Sequence, residues 1–83
     1  MNRVFVEKKA AKDIERLPKA IIPRILRALK ELESNSRPPG SKKLLGDVGW
    51  MVRVGDYRIL YTIEDRIQVV RVYKVKHRRD VYR

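Results

Sequence analysis

Apolar and polar positions change period several times along the chain, and each change marks an element. From Trp50 to Tyr61 the residues read W-M-V-R-V-G-D-Y-R-I-L-Y. Trp50, Val52 and Val54 alternate with Met51 and Arg53; beyond Gly55-Asp56, Tyr57, Ile59 and Tyr61 alternate with Arg58 and Leu60. Period-two alternation of aromatic and β-branched residues around Gly-Asp predicts a β-hairpin with a two-residue turn. Gly55 supplies the positive φ that a primed turn needs. The turn fixes the pairing: Val54 with Tyr57, Arg53 with Arg58, Val52 with Ile59 and Trp50 with Tyr61. One face of the hairpin is then aromatic and aliphatic, ready to pack on helices.

Upstream, Asn2 to Val6 reads as a short first strand. From Glu7 to Leu17 the period changes: Ala10, Ile14 and Leu17 form the apolar stripe of an amphipathic helix, which Pro18 ends or kinks. A second helix runs from about Lys19 to Ser34 on a stripe of Ile22, Ile25, Leu29 and Leu32. Pro23 is tolerated only in a first turn, which moves that start toward Ile21. The two helices read as a hairpin laid on one face of a sheet. Ser34 to Lys43 is a loop by its Pro, Gly and Ser content, followed by Leu44-Leu45-Gly46, a short apolar anchor. Downstream, Glu64-Asp65-Arg66 turns the chain into a last strand, Ile67 to Val75. A three-residue loop puts Ile67, Val69, Tyr73 and Val75 on the core side with Arg71 intruding. A two-residue loop reverses the faces and sets Arg71 opposite Arg58. The first is favoured, because its core face is more apolar. The tail, Lys76 to Arg83, has no helix period and little apolar content, and such tails usually fray.

Charge changes the picture more than size does. The 83 residues suit one small domain, residues 1–83. Lys and Arg number 21 against 10 Asp and Glu, a formal net charge of +11. Such an excess favours a polyanion: nucleic acid, an anionic membrane surface or an acidic protein. No apolar run approaches the roughly 20 residues of a membrane span. No signal-peptide pattern opens the chain, so the cytoplasm is the expected location. There is no cysteine and one histidine, so neither a disulfide nor a multi-histidine metal site is expected.

The basic residues are also patterned. Arg53 directly opposite Arg58 is a like-charge pair, which destabilises a sheet by roughly 0.2–1 kcal/mol. Two forked guanidiniums side by side suit a phosphate, which accepts bidentate hydrogen bonds from each; the alternative is a pair splayed into solvent. The outward helix faces carry Lys9, Lys12 and Arg16, then Arg24, Arg27 and Lys30. Such a run is either a solvated face or a footing on nucleic acid.

The strand–helix–helix–strands order resembles the RelE/ParE superfamily of bacterial and archaeal toxins. So do three local motifs: Lys42-Lys43-Leu44, the hairpin W-M-V-R-V-G-D-Y-R-I-L-Y, and V-K-H-R-R-D-V-Y near the end. The resemblance covers essentially the whole chain, and the ending H-R-x-x-V-Y leans toward the RelE branch. It implies an α+β fold in which an N-terminal strand and a two-helix hairpin pack on a mainly antiparallel sheet of three to five strands. That is a RelE-like, microbial-ribonuclease-like architecture. It implies a toxin of a type II toxin–antitoxin system, acting as a ribosome-dependent endoribonuclease that cuts mRNA in the A site and halts translation. The implied partners are a cognate antitoxin, the ribosome and mRNA, with no membrane and no metal or small-molecule cofactor.

Carried over residue by residue, Arg53 matches a basic position before the hairpin turn, and Arg58 matches the arginine of a G-x-Y-R-like segment. Arg78 matches an arginine after the last strand, and Tyr82 a tyrosine near the C-terminus. His77 lies where relatives carry lysine or histidine. These five are the candidate catalytic residues. Lys9, Lys12, Arg16, Lys42, Lys43 and Lys76 are candidates for contacts to RNA or the ribosome. Two departures stand out. Met51 occupies a position that is a catalytic lysine in some members, which leaves that role unfilled or passed to Lys42, Lys43, Lys76 or His77. A C-terminal helix found in some members is expected to be absent, since the chain stops at Arg83. The chemistry implied is attack of the RNA 2′-hydroxyl on the adjacent phosphate. It needs a base, an acid for the departing 5′-oxygen, and positive charge around the pentavalent transition state, which Arg53, Arg58 and Arg78 would supply. His77 is the side chain suited to acid–base work near neutrality; its alternative is a solvated tail residue. Tyr82 would stack on a base or act as acid or base. Trp50, Tyr57 and Tyr61 are expected to pack on the helices instead. Two other readings stay open: a ParE-like inhibitor of DNA gyrase without nuclease activity, and a non-catalytic nucleic-acid-binding module.

Overall fold

Each change of period becomes an element in the computed structural model, which describes residues 1–44 and 49–80. In order these are β1 (Arg3–Val6), α1 (Lys8–Glu15), α2 (Ile22–Ser34), β2 (Lys42–Lys43), β3 (Trp50–Val54), β4 (Tyr57–Glu64) and β5 (Val69–His77). Among the described residues they form two helices on one five-stranded sheet of order β1-β5-β4-β3-β2. β1 runs parallel to β5, and every other pairing is antiparallel.

The central hairpin has the expected register, Trp50 with Tyr61 through Val54 with Tyr57. Gly55 sits at φ +60, as the first position of a primed turn requires. Val52, Val54, Ile59 and Tyr61 face the helices, with Val70, Val72 and Val75 of β5 beside them. From the other side come Ala10 of α1 and Ile25, Leu29 and Leu32 of α2. α1 stops at Glu15, short of the expected Leu17, yet Leu17 still packs on this core. α2 begins at Ile22 with Pro23 in its first turn, where the missing N–H matters least.

Two expectations are corrected. Lys42 and Lys43 lie in a short strand paired with Met51 and Trp50, not in a loop. The last strand takes a different register from the favoured one. Residues 65–68 form a four-residue turn, with Gln68 at φ 54 and its N–H donating to the Asp65 carbonyl at 3.3 Å. Glu64 therefore pairs with Val69, and Arg71 pairs with Thr62. Val70 and Val72 go under the helices, and Ile67 is exposed in the turn. A bulge opposite Leu60/Tyr61 then shifts the alternation by one. It returns Val75 to the core and sends Tyr73 to join Met51 and Leu60 on the opposite face. Of the apolar anchor, Leu44 packs in that second cluster, while Leu45 and Gly46 lie outside the described residues.

The α2–β2 loop is pinned to the sheet at two points. The buried Tyr61 hydroxyl donates to the Ser36 carbonyl at 2.9 Å, and burial pushes that phenol's pKa up. Arg37 donates to both Asp65 oxygens, at 3.2 and 3.0 Å, and lies 5.0 Å from the Trp50 ring centroid. The hydrogen bond from Arg37 holds the Asp65 carboxyl below its usual range. Trp50, Tyr57 and Tyr61 all pack with the helix-side core, as expected. No helix among the described residues is long and apolar enough to cross a membrane.

Candidate functional site

The second face of the sheet carries no helix among the described residues. Its centre is a small apolar patch of Met51 and Leu60, flanked by Leu44 and Tyr73. Beside this patch, one row of the ladder runs Arg53, Arg58, Lys76 across β3, β4 and β5. Arg53 is exposed, while Arg58 is half-buried. The Nε and Nη1 atoms of Arg58 are buried and have no hydrogen-bond partner among the described residues. Buried guanidinium nitrogens without acceptors are costly, since each loses water and gains nothing. A phosphate or carboxylate oxygen is the kind of acceptor a guanidinium in this position can take. Lys42, paired with Met51, projects on this same face, and Lys43, paired with Trp50, on the helix side; both are exposed. Met51, at the centre of this face, is buried.

Lys76 is drawn to the edge of β5. Beyond Val72 the strand has no β1 partner, and α1 comes alongside instead. Asp13 closes the gap: its Oδ2 accepts the Val75 N–H at 3.1 Å, and its Oδ1 lies 2.7 Å from the Lys76 ammonium. Past this pair lies an open groove of ≈ 460 Å³ that includes Lys9, Tyr73 and Lys74. The sequence reading missed Asp13 and Lys74. Lys74 was hidden because the bulge reverses its face. Asp13 had one signal, an acid between the basic positions of α1. Lys12 and Arg16 are exposed on α1, and Arg16 borders a second hollow beside His77 and Tyr57.

The tail is ordered as a turn over residues 78–80. The Arg78 N–H donates to the Asp56 carbonyl at 2.8 Å, one rung beyond the Tyr57–His77 pair. Arg78 itself lies past the end of β5, exposed in the turn. His77 goes the other way, its ring edge-on to Tyr57 at 5.3 Å on the helix side. The ladder therefore sets Arg53 beside Arg58 and puts His77 on the opposite face, with Arg78 in the turn that follows. Tyr82 lies outside the described residues.

Two helices packed on one face of a five-stranded mixed sheet agree with the comparisons with known proteins. Residues 4–82 match the family described as the ParE toxin of type II toxin–antitoxin systems, parDE. The chain belongs to this family and is a type II toxin of the RelE/ParE superfamily, RelE-like in its relatives. Toxin RelG of Mycobacterium tuberculosis is 35% identical over 82 residues, covering 89% of this chain and 87% of that protein. The toxin in the archaeal RelE–RelB complex from Pyrococcus horikoshii OT3 superposes with a TM-score of 0.82 at 30% identity, over 96% of this chain and 98% of that one. The intact RelBE toxin–antitoxin complex of E. coli gives a TM-score of 0.78 at 21% identity, over 93% and 96% of the two chains, a likeness of fold.

Proposed function

We propose that this toxin is an endoribonuclease that cuts mRNA on the ribosome, with its helix-free face as the reacting surface. The observation that carries the reading is the pair of buried nitrogens on Arg58 that have no partner among the described residues, with Arg53 directly across the ladder. A phosphodiester set between them would accept hydrogen bonds from both forks. In the reaction the 2′-oxygen attacks phosphorus and the bond to the 5′-oxygen breaks. The products are a 2′,3′-cyclic phosphate and a free 5′-hydroxyl. One proton leaves the 2′-hydroxyl for a base and another reaches the departing oxygen. Negative charge builds on the phosphoryl oxygens in between, where Arg53, Arg58 and Arg78 are worth most. Tyr82 is proposed to stack on or exchange a proton with the RNA. The lysines of α1, β2 and β5 are proposed to dock the ribosome and message.

Partners follow from the same surface and from relatives solved as toxin–antitoxin complexes, among them those of E. coli and Methanococcus jannaschii. We assign this chain a cognate antitoxin whose acidic and apolar segment covers part of the basic surface. The test is primer extension on a translated message, with and without ribosomes. Cuts that appear only on ribosome-bound message are expected; no cuts under either condition overturns the reading. The ParE description of the matched family supports a second reading, inhibition of DNA gyrase by protein contact. It gives the Arg58 donors no task, and a supercoiling assay separates the two.

A further inference from the structure

β5 ends at His77, and Arg78 follows in the turn. The His77 ring lies with Tyr57 on the helix side, so the sheet backbone stands between it and the Arg53–Arg58 pair. Its two acceptors are already in use. Nδ1 accepts the Arg79 N–H at 3.2 Å, and the His77 carbonyl accepts the Asp80 N–H at 2.8 Å. Between them the Arg78 N–H is held by the Asp56 carbonyl, also at 2.8 Å. Three successive N–H groups of the tail are thus anchored, two of them by His77. A side-chain acceptor that takes the N–H two residues on is the geometry of an Asx turn; here an imidazole performs it.

We propose that His77 is a positioning residue for Arg78: it closes the turn that holds the Arg78 backbone against the hairpin turn at Asp56, and it exchanges no proton with the RNA. The proposal rests on the reading of Arg78 as a phosphate-binding group. Without the anchor, a basic tail of this kind frays, and Arg78 is presented to the phosphate only part of the time. Near-attack geometry is sensitive to displacements of an ångström, so the loss appears in the rate of the bound complex.

Three substitutions separate positioning from proton transfer. His77→Asn keeps an oxygen placed to accept the Arg79 N–H and removes the imidazole. His77→Phe keeps a ring against Tyr57 and removes the acceptor. His77→Ala removes both. Single-turnover cleavage of ribosome-bound message is expected to fall about tenfold or more in His77→Ala and His77→Phe, and to stay within about threefold of the parent in His77→Asn. Amide exchange at Arg79 should quicken in the first two and not in the third. In an Arg78→Ala background the three should no longer differ. His77→Asn as inactive as His77→Ala would overturn the proposal, because that is the signature of a proton donor or acceptor. So would unchanged exchange at Arg79 in His77→Ala, or a His77→Ala loss that persists in full without Arg78. If the parent protein cuts nothing, the nuclease reading fails on its own. The positioning is then read from affinity for a short RNA carrying a 2′-deoxy residue, with the same order of variants expected and the same reversals decisive.

Discussion

Arg58 combines a burial cost with a like-charge cost. Its Nε and Nη1 are buried without acceptors among the described residues, and its cross-strand neighbours are Arg53 and Lys76. Arg58→Met removes both penalties and keeps the apolar stem. Stability should rise by about 1 kcal/mol, with the thermal midpoint rising by about 4–8 °C. Single-turnover cleavage should fall about 10²-fold or more, and Arg58→Lys should recover little of it, since a point charge cannot reproduce the fork. Loss of activity that merely follows loss of stability would make Arg58 structural. Gly49 gives the opposite kind of prediction. It holds φ +93, and a β-carbon there would collide with the Tyr61 carbonyl oxygen. Gly49→Ala should cost about 1–3 kcal/mol, read from a urea midpoint at constant m-value. The Arg53–Arg58 pair was legible because the Gly-Asp turn fixes its own register. The burial of Arg58 was not, because it depends on neighbours on two other strands.

Among the elements, β5 is the one that its own residues underdetermine. The run from Ile67 to Val75 has apolar residues in both phases, so alternation alone cannot say which set is inside. A turn one residue longer than expected, followed by a bulge, decides the matter. The helices were legible to within their ends, because stripes such as Ile25, Leu29 and Leu32 admit one orientation. β5 also depends on a side chain from outside the sheet. Asp13→Ala strips the Val75 N–H and the Lys76 ammonium of one acceptor group and should cost about 1–3 kcal/mol. Asp13→Asn, which keeps an oxygen for Val75, should cost less, and amide exchange at Val75 should follow the same order. The loop clasp responds to acid. The Arg37 hydrogen bond lowers the Asp65 carboxyl, so its contribution is complete above the unfolded-state value of about 3.9. That contribution is lost as pH falls through the lower folded value. Below pH about 4 the midpoint of the parent should drop more steeply than that of Asp65→Asn; parallel curves would mean the pair contributes nothing.

At the scale of the whole molecule, a net charge of +11 makes attraction to RNA sensitive to salt. Each phosphate contact should add a slope of about −0.7 to −0.9 to the dependence of log affinity on log salt. Neutralising Lys9, Lys12 and Arg16 together should flatten that slope and leave cleavage of already bound message nearly intact. An equal fall in the bound-state rate would place those residues in the reaction. The parallel pairing of β1 with β5 has a consequence for how the protein is made. The first strand written is completed by the last, and Arg58 acquires its neighbour Lys76 only when β5 zips onto β4. Before β5 is made, the chain holds β1, two helices and the β3–β4 hairpin with no strand to join β1 to the hairpin. Long-range pairings of this kind are the slow steps of folding. On the function proposed above, a product interrupted before β5 would lack the Arg58–Lys76 rung and should not cut message, which a chain ending before Val69 would test.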